Sequence, residues 1–197
     1  MGIKVLFIYP NTYGMNMLPP AIALFSALLK DHGHSVDLFD ATYYQTDHGI
    51  DSDGTKAERL NVVPFSASEK GIKMRETNWS DDIKVKVEDF QPDLIALSTT
   101  EDMWLLGVRM LNEIREFITR HKTPVIVGGV FPTFAPELVI KHDLVDMVCV
   151  GEGENTMIDL CDRIKKGNSW DDVTNIWVEK KDGSLIKNPI SNSFEIN

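Results

Sequence analysis

Cysteine is scarce in this chain. Among 197 residues there are two, Cys149 and Cys161, and neither has a partner at metal-ligand spacing. That excludes an iron–sulfur cluster held by this stretch alone, because a cluster needs several thiolates close together. Cys149 lies in an apolar run and Cys161 in a helical pattern, so both read as buried small hydrophobes. Positive charge is also short: 20 Lys and Arg stand against 30 Asp and Glu, a net charge of −10. A nucleic-acid surface needs a basic patch, so none is expected. The acidic excess reads as a solvated surface. No run approaches the roughly 20 apolar residues of a membrane span. The first residues enter a strand pattern without signal-peptide features, and a cytoplasmic protein is expected. The five histidines, His32, His34, His48, His121 and His142, are not paired at metal spacing and read as surface or loop positions. No metal site built from protein side chains is expected. No G-x-G-x-x-G follows the first strand, which speaks against a dinucleotide fold. The paired acids of a receiver domain are absent at Tyr9-Pro10. Asp51-Ser52-Asp53 resembles the start of a calcium loop, but Gly54 is misplaced and no glutamate stands where the loop needs one.

What is present is ordinary for a globular domain: 43% apolar and 25% charged residues, at a length that supports one substantial core. Ile3 to Tyr9 is a near-continuous apolar run, a pattern of central strands covered on both faces. Pro10 to Gly14 forms the loop after it. Pro19-Pro20 opens a helix with Ala21, Leu24, Leu28 and Leu29 on one face, and Gly33 stops it. Val36 to Phe39 is the second strand. Residues 43–82 are polar and mixed, an irregular insertion expected to hold short helices and a loop. Ser80 reads as the cap of the next helix, with Asp81 and Asp82 in its first turn and Pro92 at its end. Leu94 to Leu97 is the third strand. Trp104 to Ile118 reads as one amphipathic helix whose pattern is Leu105, Val108, Leu111, Ile114, Arg115 and Ile118. Thr123 to Val127 and Val145 to Val150 are the fourth and fifth strands. Asn155 to Lys166 is the last helix, with Met157, Ile158, Cys161 and Ile164 inward. Asp182-Gly183 between two short apolar runs signals a hairpin. Alternating strands and helices imply an α/β fold: a doubly wound, flavodoxin-like or Rossmann-like five-stranded parallel sheet of order 2-1-3-4-5, with a C-terminal hairpin.

The sharpest signal is the stretch from Thr123 to Glu154. Val125-Ile126-Val127 runs into Gly128-Gly129, then Pro132, Thr133 and Pro136-Glu137. A second apolar run, Met147 to Val150, ends in Gly151-Glu152-Gly153-Glu154. Both glycine turns fall at carboxyl ends of strands, where open parallel sheets bind ligands. Glycine there permits a sharp turn or the close approach of another molecule. Glu154 can also serve simply as an acid at a helix start.

This pattern, VGG-x-x-P-T-x-x-P-E followed by VD-x-V-x-V-GEGE, closely resembles the N-terminal cobalamin-binding domain of cobalamin-dependent radical S-adenosylmethionine (radical SAM) enzymes. The resemblance extends upstream to Pro10 and Gly33-His34 and downstream to Asp182-Gly183. It implies that residues 1–168 form a cobalamin-binding α/β domain, with 43–82 inserted. It implies that 169–197 are a hairpin and linker toward a radical SAM domain lying outside this chain. S-adenosylmethionine and a [4Fe–4S] cluster belong to that missing domain, and methyl transfer is the implied chemistry of the parent enzyme. The cobalamin tail is expected beside Ser98, Thr99, Thr100, Gly128 and Gly129. The corrin edge is expected at Val130, Phe131, Pro132 and Thr133, with Gly151, Glu152 and Gly153 nearby. On the same reasoning Gly129→Val is expected to block the tail and spare the fold. Family members with a histidine below the cobalt carry it in a D-x-H-x-x-G loop after the first strand. The loop here offers only Asn11, Thr12 and Tyr13, so the implied cofactor is base-off with no protein histidine ligand. A cobalamin-free scaffold or partner-recognition domain remains the alternative reading of the same fold.

Overall fold

In β1 (Lys4–Tyr9) every residue after Lys4 is buried, because the strand is covered on both sides. The computed structural model describes residues 2–12, 19–46, 69, 71, 73–180 and 182–191. Tyr13, Gly14, His48, the Asp51 to Gly54 stretch and most of the 43–82 insertion lie outside them. The other elements follow in order: α1 (Pro20–Asp31), β2 (Ser35–Asp40), α2 (Trp79–Phe90), β3 (Leu94–Ser98), α3 (Trp104–Glu113) and α4 (Arg115–His121). Then come β4 (Val125–Gly128), α5 (Val130–Phe134), α6 (Pro136–Val139), β5 (Met147–Cys149), α7 (Glu154–Lys166), β6 (Ile176–Glu179) and β7 (Leu185–Lys187).

The expected order 2-1-3-4-5 is present, and its neighbours pair in parallel. The expected C-terminal hairpin is present and extends the same sheet: β6 pairs antiparallel with β5, and β7 with β6, so among the described residues the sheet has seven strands. Strand alternation sorts the core into two halves. Leu6, Ile8, Ile95, Leu97, Val127 and Val148 face α2, α3 and α4. Val5, Phe7, Ala96, Ile126, Met147 and Cys149 face α1 and α7.

Several local expectations shift. The helix expected from Trp104 to Ile118 breaks at Ile114, whose φ and ψ of −105° and 13° leave the helical region. Its buried stripe is Leu106, Met110, Leu111, Ile114, Phe117 and Ile118, while Leu105 is 66% exposed. Gly107 sets this phase: a Cβ there would stand 3.0 Å from the Leu97 side chain, so its bare side lies against the sheet. In α1 the buried residues are Ile22 and Leu29, not Ala21. Phe25 stacks on Phe7 with ring centroids 6.1 Å apart. The cap of α2 is Asn78, whose side chain accepts from Ser80 N, so Ser80 lies inside the helix. In α7 Leu160 is also buried. His34 departs from the surface role expected of it. It is 4% exposed, and its Nδ1 accepts a 3.2 Å hydrogen bond from Ile3 N. Both cysteines are free and buried, as expected. Among the described residues no helix is long and apolar enough to cross a membrane.

Candidate functional site

The face of the sheet beneath α1 and α7 loses its bulk toward the carboxyl ends. β3 contributes Leu94, then Ala96, then Ser98 to that face; β4 contributes Ile126 and then Gly128. Small residues at these successive positions leave a hollow where larger side chains would meet the helices. The result is a cleft of about 160 Å³. Its floor is Phe7, Ala96, Ile126 and Cys149, and its walls are Ala21 and Phe25 from α1 and Met157 from α7. Ser98, Gly128, Gly129 and the Gly151-Glu152-Gly153 turn form its rim, with Glu154 beside them.

Three glycines define the cleft in different ways. A Cβ on Gly128 would find Cys149 Cβ at 3.6 Å as its nearest neighbour, so it would project into open cleft. A Cβ on Gly153 would stand 2.9 Å from Phe25 Cζ, so with Gly153 bare the Phe25 ring of α1 sits close against the start of α7. Gly129 has φ +112°, and a Cβ there would lie 2.6 Å from the backbone oxygen of Thr99. Gly129 is therefore required by the turn itself, and the expectation that Gly129→Val spares the fold is corrected.

Thr133 ties the two glycine turns together. Its Oγ1 donates to Gly129 O at 2.9 Å and accepts from Gly151 N at 3.2 Å. The other residues singled out from the sequence are placed variously. Thr99 is buried, and its hydroxyl donates to Thr100 O, a local turn bond. The hydroxyls of Thr12 and Thr100 are buried without a hydrogen-bond partner among the described residues. Asn11 is buried, and its Nδ2 donates to Thr42 Oγ1 just past the end of β2. Phe131 turns to the other face of the sheet, 5.9 Å from the Trp104 ring, and Pro132 is buried. Val130 and Phe134 are 64% and 84% exposed and give the carboxyl-end surface an apolar rim.

Among the described residues, the lining of the cleft contains no Lys or Arg. A phosphate-rich ligand would leave its charge unpaired there; an uncharged aromatic ring would not. Glu154 adds one acceptor, since its buried Oε2 has no hydrogen-bond partner among the described residues. Burial, and secondarily the Glu154 charge, push the Cys149 thiol up to about 12. It stays protonated and is not a thiolate ligand. Among the described residues no group of three or more His, Cys, Asp or Glu could hold a metal ion. Phe7, Ala21, Phe25, Ala96, Ile126, Cys149 and Met157 were not assigned to the site from the sequence. The signal that could have found part of this set is the strand parity that puts Ala96 beside Ser98 and Gly128.

Comparison with known proteins adds the family context. The model of the B12 binding domain matches residues 8–160. The 4'-phospho-dehydrooxetanocin synthase of Priestia megaterium is 31% identical over 102 residues, covering 51% of this chain and 14% of that protein. The cytidylyl-2-hydroxyethylphosphonate methyltransferase of Streptomyces wedmorensis is 24% identical over 175 residues, 87% of this chain and 29% of that protein. The chain thus spans less than a third of either relative. Among solved structures, the cobalamin-dependent S-adenosylmethionine radical enzyme OxsB, with aqua-cobalamin and S-adenosylmethionine bound, superposes with a TM-score of 0.68. The match has 21% identity and covers 96% of this chain and 22% of that one, a likeness of fold.

Proposed function

The chain belongs to the B12-binding domain family, and on that premise we propose that it holds cobalamin with the nucleotide tail in the cleft between α1 and α7. The observation that carries this reading is the cleft itself: apolar, without Lys or Arg among the described residues that line it, and opened by Ala96 and Gly128. Those properties suit the benzimidazole end of the tail. Phe7, Phe25, Ile126 and Met157 would enclose that ring and exclude water. Gly128 leaves it room, while Ser98 and Glu154 offer hydrogen-bonding atoms at its edge. Val130 to Thr133 and the Gly151 to Gly153 turn would support the edge of the corrin, with Thr133 fixing one turn to the other. Asn11 and Thr12 follow β1 at the same end of the sheet.

Cobalamin, when bound, supplies a cobalt that carries a methyl group. This chain's part would be to hold and orient the ring system, and the loop after β1, Pro10 to Gly14, would offer it no histidine. We read residues 1–168 as the cobalamin module, with β6 and β7 of segment 169–197 extending its sheet before the chain leads toward a radical SAM domain. That domain would hold S-adenosylmethionine and a [4Fe–4S] cluster and complete a methyl-transfer enzyme. Two buried, unpaired cysteines fit the reducing cytoplasm, where we place it.

The test is reconstitution. The purified chain is incubated with hydroxocobalamin, desalted and examined by visible spectroscopy and calorimetry. Corrin absorbance that co-elutes with protein in about one-to-one ratio is the expected result. A colourless protein with no calorimetric affinity would overturn the reading and leave the cobalamin-free scaffold in its place.

A further inference from the structure

The Gly151-Glu152-Gly153 turn forms part of the cleft rim, and Thr133, itself tied to Gly129, holds its first residue. From α7, Thr156 Oγ1 reaches Glu152 O at 3.5 Å and Met157 N donates to Gly153 O at 2.8 Å. The shorter side-chain bond to Glu152 O comes from Asn175, at the entrance to β6 and on a different segment of the chain. Asn175 is 4% exposed and adopts a left-handed backbone, φ 68°, a conformation asparagine tolerates better than most residues. Val150 N donates to Asn175 O at 2.8 Å, just before the turn. Asn175 Nδ2 donates to Glu152 O at 2.6 Å, just after Gly151. One residue therefore brackets the turn from both sides. In a trans peptide the N–H points opposite to the C=O, so fixing Glu152 O also fixes the direction of Gly153 N–H.

The same side chain holds the outgoing strand end. Asn175 Oδ1 accepts from Ser191 N at 2.6 Å, and Nδ2 also donates to Ser191 O at 3.2 Å. Asn175 N donates to Pro189 O at 3.0 Å. Between those anchors Ile190 Cγ2 lies 3.5 Å from where a Cβ on Gly151 would stand. Segment 189–191 is thereby pressed against the outer side of the turn whose inner side lines the cleft.

We propose that Asn175 is a positioning residue for the cobalamin cleft, clamping the Gly151 to Gly153 rim to segment 189–191 so that the rim is preformed for the cofactor. The proposal rests on the cobalamin reading above, but one arm of its test does not depend on it. The informative variant is Asn175→Gly, because glycine accepts φ 68° without strain and removes only the side-chain bonds. Asn188→Ala is the control. Asn188 Nδ2 also makes two backbone hydrogen bonds, to Asp171 O and Ile176 O at 2.9 Å each, without touching the rim.

Amide hydrogen exchange on the unliganded chain should show Asn175→Gly accelerating exchange at Ser191 and across Gly151 to Gly153, with β4 and β5 still protected. Hydroxocobalamin affinity should fall about 10-fold or more in Asn175→Gly, the usual scale for loss of an orienting neighbour, and stay near wild type in Asn188→Ala. Unchanged exchange across 151–153 in Asn175→Gly would overturn the clamp. So would unchanged affinity, or an equal loss in Asn188→Ala. Failure of the wild type itself to bind cobalamin would overturn the functional reading instead, and the exchange arm would still decide whether the clamp exists.

Discussion

Gly128 and Gly129 are adjacent and identical, yet the structure gives them unrelated roles. Both stood out in the sequence because a glycine pair after a buried strand signals a turn or a close approach. Sequence alone could not separate those two meanings. The backbone does: Gly129 has φ +112° and faces Thr99 O, whereas Gly128 ends β4 with its missing side chain toward the cleft. Gly129→Val should therefore destabilise the fold, by about 1–3 kcal/mol from backbone conformation alone, before any contact with Thr99 is counted. Gly128→Val should fold normally, since β-branched residues suit strands. Its side chain would occupy the cleft and weaken cobalamin binding by about 10- to 100-fold, the scale of overpacking a closed site. Urea denaturation and a hydroxocobalamin titration of both variants check this. Normal binding by a well-folded Gly128→Val would put the tail elsewhere.

Elements were legible in the sequence to the extent that one signal dominated them. The central strands are apolar throughout, and every expected parallel strand is present with ends shifted by a few residues. Helix faces were read less well. α3 and α4 carry apolar residues on more than one side, so the phase of the stripe depends on how closely the helix approaches the sheet. Gly107 decides that through its contact with Leu97, a tertiary fact. The start of α2 shows the same ambiguity on a smaller scale, since Asn78 and Ser80 are both good caps. In the structure Asn78 accepts from Ser80 N at 2.9 Å. Asn78→Ala should cost about 1 kcal/mol, the ordinary worth of such a cap, and Ser80→Ala less than about 0.5. Equal losses in urea unfolding, or a larger loss at Ser80, would contradict the assigned helix start.

At the scale of the whole molecule, a parallel sheet has two chemically different ends. The strand order was readable from alternating patterns, but the joining of the hairpin to β5 was not, because antiparallel pairing at an edge leaves no local trace. The end a residue occupies then decides what it can reach. The cleft lies at the carboxyl ends. His32 and His34 precede β2, and His121 precedes β4, which places all three at the amino ends. His142 packs edge-on to Trp104 at 6.0 Å, on the side of the sheet opposite the cleft. His48 lies outside the described residues and is the one histidine whose position the sheet does not fix. With the tail lodged between α1 and α7, its own base would also be withdrawn from the cobalt. The proposed cofactor should therefore be base-off with no imidazole beneath it, histidine being the usual nitrogen ligand for such a metal. Replacing each of the five histidines by alanine should leave the bound corrin spectrum unchanged. Electron paramagnetic resonance of the Co(II) form should show no nitrogen splitting from a lower ligand. Clear nitrogen splitting that vanishes in His48→Ala would mean that the 43–82 insertion supplies a ligand. Splitting that survives all five replacements would mean that the tail's own base remains on the metal and the cleft holds something else.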